Sequence, residues 1–261
     1  MITAASNSRI KRLVQLNQKS KLRRTEDVFL AEGVKMFLEA PREQLQEVYV
    51  SESFLEKCSC RDHLEEVGYE VVSDSVFSKI SDTCTPQGIL CVLKQFHYNI
   101  EEMLRDKAPL FLLLENIQDP GNLGTMLRTG EGAGVSGIIM SRDTVDLYNP
   151  KVIRSTMGSI YRVPFYYADD FAAAVHQVQQ AGVSVYAAHL RGKNSYACQD
   201  YTKGTAFLIG NEGNGLREET AELADCYIRI PMEGKVESLN AAVASSILMY
   251  EAHRQRAMIE K

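Results

Sequence analysis

The sequence predicts an α/β protein in two parts: a smaller N-terminal α/β domain over residues 1–98 and a larger domain over 107–261 built on a parallel sheet. Three observations predict it. Short apolar segments alternate with helical stretches along the whole chain. From residue 110 onward the strands become continuous apolar runs, as in a sheet covered on both faces. Residues 94–106 are polar and without strand pattern, which places the linker there. The 261 residues are 45% hydrophobic and 24% charged, ordinary for a globular chain long enough to bury a sizeable core. No run approaches the roughly 18 apolar residues of a membrane span, and the polar, basic start lacks the apolar core of a secretory signal. Six scattered cysteines are too few for a disulfide framework. A cytoplasmic protein with reduced thiols and no membrane contact is expected.

The elements follow in order. Ile10, Leu13, Val14 and Asn17 recur at helical spacing, so the arm over 1–24 is read as an amphipathic helix. That arm carries seven cations and no acid, in a chain whose net charge is -5, so a basic arm precedes an acidic body. The bland reading of the arm is a solvated helix with its cations on the outer faces. Strands are expected at 29–31, 48–50, 70–72 and 89–93, with helices at 34–39, stopped by Pro41, and near 54–58. In the second half the expected order is strand 110–114, helix 122–132, strand 137–140, helix 150–157, strand 183–188, strand 206–209, helix 216–223, strand 227–230 and helix 239–256.

Ligands of parallel sheets sit at the carboxyl ends of the strands, so the loops after Leu114, Ile209 and Ile230 are the informative ones. After Leu114 the run Asp119-Pro120-Gly121 makes a turn, with Asn122 as N-cap of a helix whose free N–H groups form an anion site; Arg128 leans back toward the same spot over Gly124. After Ile209, Gly210-Asn211-Glu212-Gly213-Asn214-Gly215 lets a ligand approach the backbone, without the Lys-Ser/Thr of a P-loop. After Ile230, Ser238 is the expected N-cap of the last helix, leaving Asn240 in its first turn. The stripe Leu239, Ala242, Val243, Ser246, Ile247 and Tyr250 on that helix is either core or a dimer face.

Taken together, Asn116 to Arg128, Leu208 to Gly213 and Ile230 to Asn240 resemble the three motifs of the SpoU (TrmH-like) RNA 2'-O-ribose methyltransferases of the SPOUT superfamily. Residues 29–33 and Gln87-Gly88 are similar to that family's N-terminal substrate-binding domain. The resemblance implies a trefoil-knot methyltransferase domain, S-adenosyl-L-methionine as cofactor, RNA as substrate and a homodimer. It carries the cofactor contacts to Gly210, Ile230 and Leu239, with Asn211, Glu212, Gly213, Met232 and Ala188 or His189 alongside. It carries the catalytic role to Arg128, with Asn122, Glu212, Ser238 and Asn240 as the other site positions. Ribosomal RNA is favoured over transfer RNA by the likeness of the N-terminal half to the ribosomal branch.

Other classes fit less well. A Rossmann-type methyltransferase needs its glycine loop after the first strand, where this chain has Ile117-Gln118-Asp119-Pro120. A non-catalytic RNA-binding or assembly module is opposed by the intact Arg128, Asn122 and Asn240. Cys58, Cys60 and His63 are three groups within six residues and lack a fourth partner, so no metal is expected.

Overall fold

Two hydrophobic cores organise the chain, and the computed structural model describes residues 1–259 of it. One unit comprises Met1–Phe96 with Asp146–Tyr161, the other His97–Val145 with Arg162–Lys261. The segment 146–161, which the sequence pattern places in the second domain, therefore groups with the first. The reason lies in its side chains: the helix Pro150–Thr156 packs on the first strand of that unit, and Tyr148 stacks on Phe29 at 4.9 Å. The polar stretch after residue 94 is not only linker. Asn99 caps a short helix, Ile100–Met103, whose Ile100 and Met103 are buried in the second core.

In the first unit, β1 (Val28–Glu32), β2 (Leu45–Ser51), β3 (Glu70–Val72) and β4 (Ile89–Lys94) form a sheet in the order β1-β4-β2-β3. Only the β2–β3 pair is parallel. The helices Arg61–Val67 and Asp74–Ile80 were not legible in the pattern; each is short and buries few residues, Leu64 in the first and Val76, Phe77 and Ile80 in the second.

The basic arm is two helices, α1 (Ser8–Gln18) and α2 (Ser20–Glu26), meeting at Lys19. Asn7 caps α1 by accepting from Arg9 N, and Ile10, Leu13 and Leu16 are fully buried against the sheet. Packing thus anchors the arm, and three of its cations serve that packing. Arg9 pairs with Glu70 at 3.0 Å, and Arg12 with Glu26 at 2.6 Å and Glu47 at 2.7 Å. Arg23, 3% exposed, donates to Leu16 O at 2.6 Å and pairs with Asp146 at 2.5 Å, so it closes the carbonyl end of α1.

The second unit holds a seven-stranded sheet, parallel throughout, in the order β7-β6-β5-β10-β8-β11-β9. Its strands are β5 (Leu110–Leu114), β6 (Gly137–Ser141), β7 (Phe165–Ala168), β8 (Ser184–Ala188), β9 (Asn194–Ser195), β10 (Thr205–Ile209) and β11 (Cys226–Arg229). β5, β6 and β10 are buried at every residue, which explains the apolar runs 110–114, 138–140 and 206–209 within them. β7 and the helix Phe171–Gln180 escape the pattern reading because Tyr166, Tyr167 and the alanines of 172–174 give no clear periodicity. Two strands are inserted between strands made earlier in the chain: β10 between β5 and β8, and β11 between β8 and β9. The sheet order reverses at β5 and β10, and the glycine-rich loop leaves β10 at that point.

Candidate active site

The carboxyl end of β5 sets the geometry. Asn116 turns the chain in the left-handed region, φ 54°, which asparagine tolerates better than most residues. Its N–H donates to Ser141 Oγ at 2.8 Å and its carbonyl accepts from Asn211 Nδ2 at 2.8 Å. The helix Pro120–Ala133 then begins, with proline in its first turn. Its cap is Asp119, whose carboxylate accepts from Asn122 N at 2.7 Å. The expectation that Asn122 caps is corrected here, for a physical reason: proline at the first helical position puts the cap one residue before it. Asn122 lies inside the first turn, and its side-chain amide is free for longer contacts. Asn122 Nδ2 donates to Glu212 Oε1 at 3.1 Å, and Asn122 Oδ1 accepts from Asn240 Nδ2 at 3.0 Å.

The glycine-rich loop is tightly closed. Asn211 and Gly215 exchange both backbone hydrogen bonds, at 3.0 and 2.9 Å, and Asn211 Oδ1 accepts from Gly213 N and Asn214 N, each at 3.0 Å. Closure requires glycine at Gly210, where a Cβ would lie 2.2 Å from the backbone of Gly215 and of Leu216, and at Gly215, whose φ is 69°. Gly213 has neither constraint. At the loop's far end the carboxylate of Glu115, 1% exposed, accepts from Arg217 N at 2.8 Å and Thr220 Oγ1 at 2.5 Å.

Glu212 occupies the anion site expected at the head of the 120–133 helix. Its carboxylate accepts from Gln118 N at 3.1 Å and Asp119 N at 3.0 Å, besides Asn122. Burial alone raises its pKa, but these hydrogen bonds outweigh burial and hold the carboxyl below the ordinary glutamate value. Glu212 thus sits just ahead of the first turn, on the N–H groups that lead into the helix.

The third segment completes the site. Asn240, not Ser238, caps the helix Ala241–Ile259: its Oδ1 accepts from Ala242 N at 2.9 Å and Val243 N at 3.2 Å. The same side chain donates to Asn122, so the cap also ties this loop to the first one. The helix stripe divides. Ala242 is buried with Ala241, Ser245, Leu248, Met249 and Ala252, whereas Val243 and Tyr250 are 48% and 49% exposed.

A cleft of about 310 Å³ opens between these strand ends. Ala188, His189, Gly210, Asn211, Glu212, Gly213, Ile230, Met232 and Leu239, every position carried over for cofactor contact, line it, and so does Ser238. Sequence reasoning did not single out Leu190, Ile209, Leu216, Glu237 and Ala244 on the same walls, because nothing separates them from core or loop residues of the same type. Asn122, Glu212 and Asn240 converge on an adjoining open hollow that Gln118 and Asp119 also line. Arg128 lines neither; it is exposed and its side chain has no hydrogen bond or ion pair among the described residues.

The cleft suits a flat heterocycle joined to a cationic centre. Its lining is apolar at Ile209, Ile230 and Leu239, with two acids, Glu212 and Glu237, against one arginine, Arg229. His189, which accepts from Arg191 N at 3.1 Å and lies against Tyr227, has its pKa lowered by burial and by the Arg191 charge. It is a neutral wall near neutral pH and does not repel a cation. Among the described residues no cluster of three metal-ligating side chains occurs, and no helix is long and apolar enough to cross a membrane.

Residues 109–250, which contain all three loops, match the model of the SpoU rRNA Methylase family. The chain belongs to the SpoU rRNA methylase family. Residues 7–91 match the MRM3-like substrate binding domain. Among SpoU relatives, the 23S rRNA (guanosine(2553)-2'-O)-methyltransferase RlmP of Bacillus subtilis is 33% identical over 95% of this chain and 97% of its own. The AdoMet-bound rRNA methyltransferase of Sinorhizobium meliloti is 31% identical, superimposes with a TM-score of 0.84 and covers 97% of both chains. The SpoU methyltransferase AviRb of Streptomyces viridochromogenes, in complex with AdoMet, is 26% identical with a TM-score of 0.87, covering 96% of this chain and 98% of its own.

Proposed function

We propose that the protein transfers a methyl group from S-adenosyl-L-methionine to a ribose 2'-hydroxyl of ribosomal RNA, in the cytoplasm, as a step of rRNA maturation. The observation that carries this reading is the convergence of all nine expected cofactor positions on one cleft, beside a hollow where Asn122, Glu212 and Asn240 are joined by hydrogen bonds. S-adenosylmethionine supplies, when bound, a methyl group activated by its sulfonium. Gly210, Asn211, Ile230, Met232 and Leu239 would hold it, through backbone and apolar contacts. Glu212 keeps Asn122 oriented, and Asn240 couples that amide to the third loop, so the wall between cleft and hollow is held rigidly.

Methylation requires the ribose hydroxyl to lose its proton. Arg128 is unpaired and free to offer its donors to RNA. An arginine guanidinium carries donors and no acceptor, so its role is to stabilise the forming alkoxide and hold an adjacent phosphate by two parallel hydrogen bonds. The reading extends to the assembly and the chain path. Val243, half-buried Ile247 and Tyr250 present an apolar stripe that fits a homodimer through the last helix. Insertion of β10 and β11 between strands already made supports a trefoil knot. The relatives named as rRNA methyltransferases support rRNA over tRNA as substrate.

The test is a map of 2'-O-methyl groups in rRNA from cells with and without the gene. One ribose should lose its methyl group in the deletion and regain it when the wild-type gene is restored. An unchanged rRNA map would overturn the reading.

A further inference from the structure

The seven cations of the arm separate into two sets. Arg9, Arg12 and Arg23 pair with acids and carbonyls of their own unit. Lys11, Lys19, Lys21 and Arg24 are exposed and make no ion pair among the described residues; Arg24 has only a 3.3 Å hydrogen bond to Ser20 Oγ. All four are exposed, on α1, on α2 and at Lys19 where the two helices meet. On α1 the inward stripe is Ile10, Leu13 and Leu16, and the exposed side chains from 11 to 19 are Lys11, Gln15, Gln18 and Lys19. On α2, Arg23 turns inward while Lys21, Arg24 and Thr25 are exposed. No carboxylate stands among these residues, and Glu26, where α2 ends, is paired with Arg12.

Helix dipoles do not account for the pattern. A cation is favoured at the carboxyl end of a helix and disfavoured at the amino end. Lys19 and Arg24 stand at carboxyl ends, but Lys11 closes the first turn of α1 and Lys21 is the second residue of α2. From Lys11 to Lys19 the face runs about 12 Å along the helix. In a chain of net charge -5, four unpaired cations on one acid-free face form a local site for a polyanion.

We propose that the outer face of the α1–α2 elbow docks the RNA backbone, with Lys11, Lys19, Lys21 and Arg24 each contacting phosphate. The proposal rests on the rRNA reading and adds to it a surface remote in sequence from the cleft residues. The face reads charge, not base identity, so it contributes affinity and salt dependence more than sequence choice.

The test replaces all four in the full chain, Lys11→Gln, Lys19→Gln, Lys21→Gln and Arg24→Gln, and titrates it against an unmodified transcript of Bacillus subtilis 23S rRNA at several salt concentrations. Each lost phosphate contact should flatten the slope of log K against log salt by about 0.7–0.9, so the variant should lose about 3 units of slope. S-adenosylmethionine affinity and the unfolding temperature should stay at wild-type values, and Lys→Arg replacements at the three lysines should keep the slope. If the quadruple variant unfolds early, the four single variants, each removing about 0.7–0.9, decide the matter. An unchanged slope in a variant that is folded overturns the proposal and leaves the methyltransferase reading standing. So does a variant that loses binding to phosphatidylserine vesicles while its RNA slope is unchanged, which would assign the face to a lipid surface. A wild-type chain with no salt-dependent affinity for the transcript overturns both.

Discussion

Replacing Gly210 by alanine should damage cofactor binding far more than the same change at Gly213, although both glycines line the cleft. A Cβ on Gly210 would stand 2.2 Å from Gly215 C and 2.2 Å from Leu216 N, both backbone atoms that cannot swing away. Ordinary carbon contacts begin near about 3.5 Å, so the 215–216 backbone must retreat by more than about 1 Å. That movement breaks the pair of hydrogen bonds between Asn211 and Gly215. Two such bonds at about 1 kcal/mol each, with overpacking strain of about 1–3 kcal/mol, give about 3–5 kcal/mol against the closed loop. If the loop opens in response, affinity falls by roughly 10²–10³-fold or more, at about 1.4 kcal/mol per decade. At Gly213 the nearest atom to an added Cβ is Asn211 Oδ1 at 3.6 Å, so alanine should change affinity by less than about threefold. Calorimetric titration of both variants with S-adenosylmethionine, with thermal unfolding as a check on the rest of the fold, measures the contrast. The reasoning fails if Gly210→Ala binds within threefold of wild type, or if Gly213→Ala loses as much as Gly210→Ala.

Four further outcomes follow from the same geometry. Glu212→Gln should lower stability at neutral pH by about 1–2 kcal/mol, because the amide nitrogen faces a backbone N–H that the carboxylate had satisfied. The Glu212 carboxyl is held below its unfolded value, so its stabilisation is full above that value, about pH 4.3, and is lost as pH falls through the folded value; the variant's acid-side decline should be shallower, and identical denaturant midpoints from about pH 3 to about pH 7 would refute this. Arg128→Ala should cut methyl transfer by roughly 10²–10³-fold or more while cofactor affinity stays within a few-fold, since the side chain lines no wall of the cleft; a fully active variant sinks the assignment. Arg23→Ala should cost about 3–5 kcal/mol in urea unfolding by leaving Asp146 and the end of α1 unpaired, against at most about 0.5 kcal/mol for the exposed Arg24→Ala. Sedimentation should give about twice 29.2 kDa for the wild type and the monomer mass for Val243→Glu with Tyr250→Glu; a wild-type monomer with full activity rejects the dimer.

What the sequence alone determined about this protein was local and periodic. Unbroken apolar runs at 110–114 and 206–209 marked buried parallel strands, because a strand covered on both faces has no polar side to alternate with. The three loops were legible because each follows such a strand and combines turn residues with side chains that core packing does not require, and the seven cofactor positions that two of them supplied meet on one cleft with Ala188 and His189 at the end of β8. Tertiary structure decided what depends on partners distant in sequence. Whether Asn122 or Asp119 caps the motif helix is settled locally by Pro120, but what Asn122 does once released is settled by Glu212 and Asn240, 90 and 118 residues away. No short-range pattern reveals that a carboxylate from another strand end binds the N–H groups leading into that helix. Segment 146–161 was assigned by order along the chain, yet it groups with the first unit, where Asp146 meets Arg23 and Tyr148 meets Phe29. The seven cations of the arm were equivalent as sequence; only the placement of Glu26, Glu47, Glu70 and Asp146 separated three that hold the fold from four that face outward. Periodicity follows from the geometry of one element, whereas a charge or an amide takes its role from whichever element packs beside it.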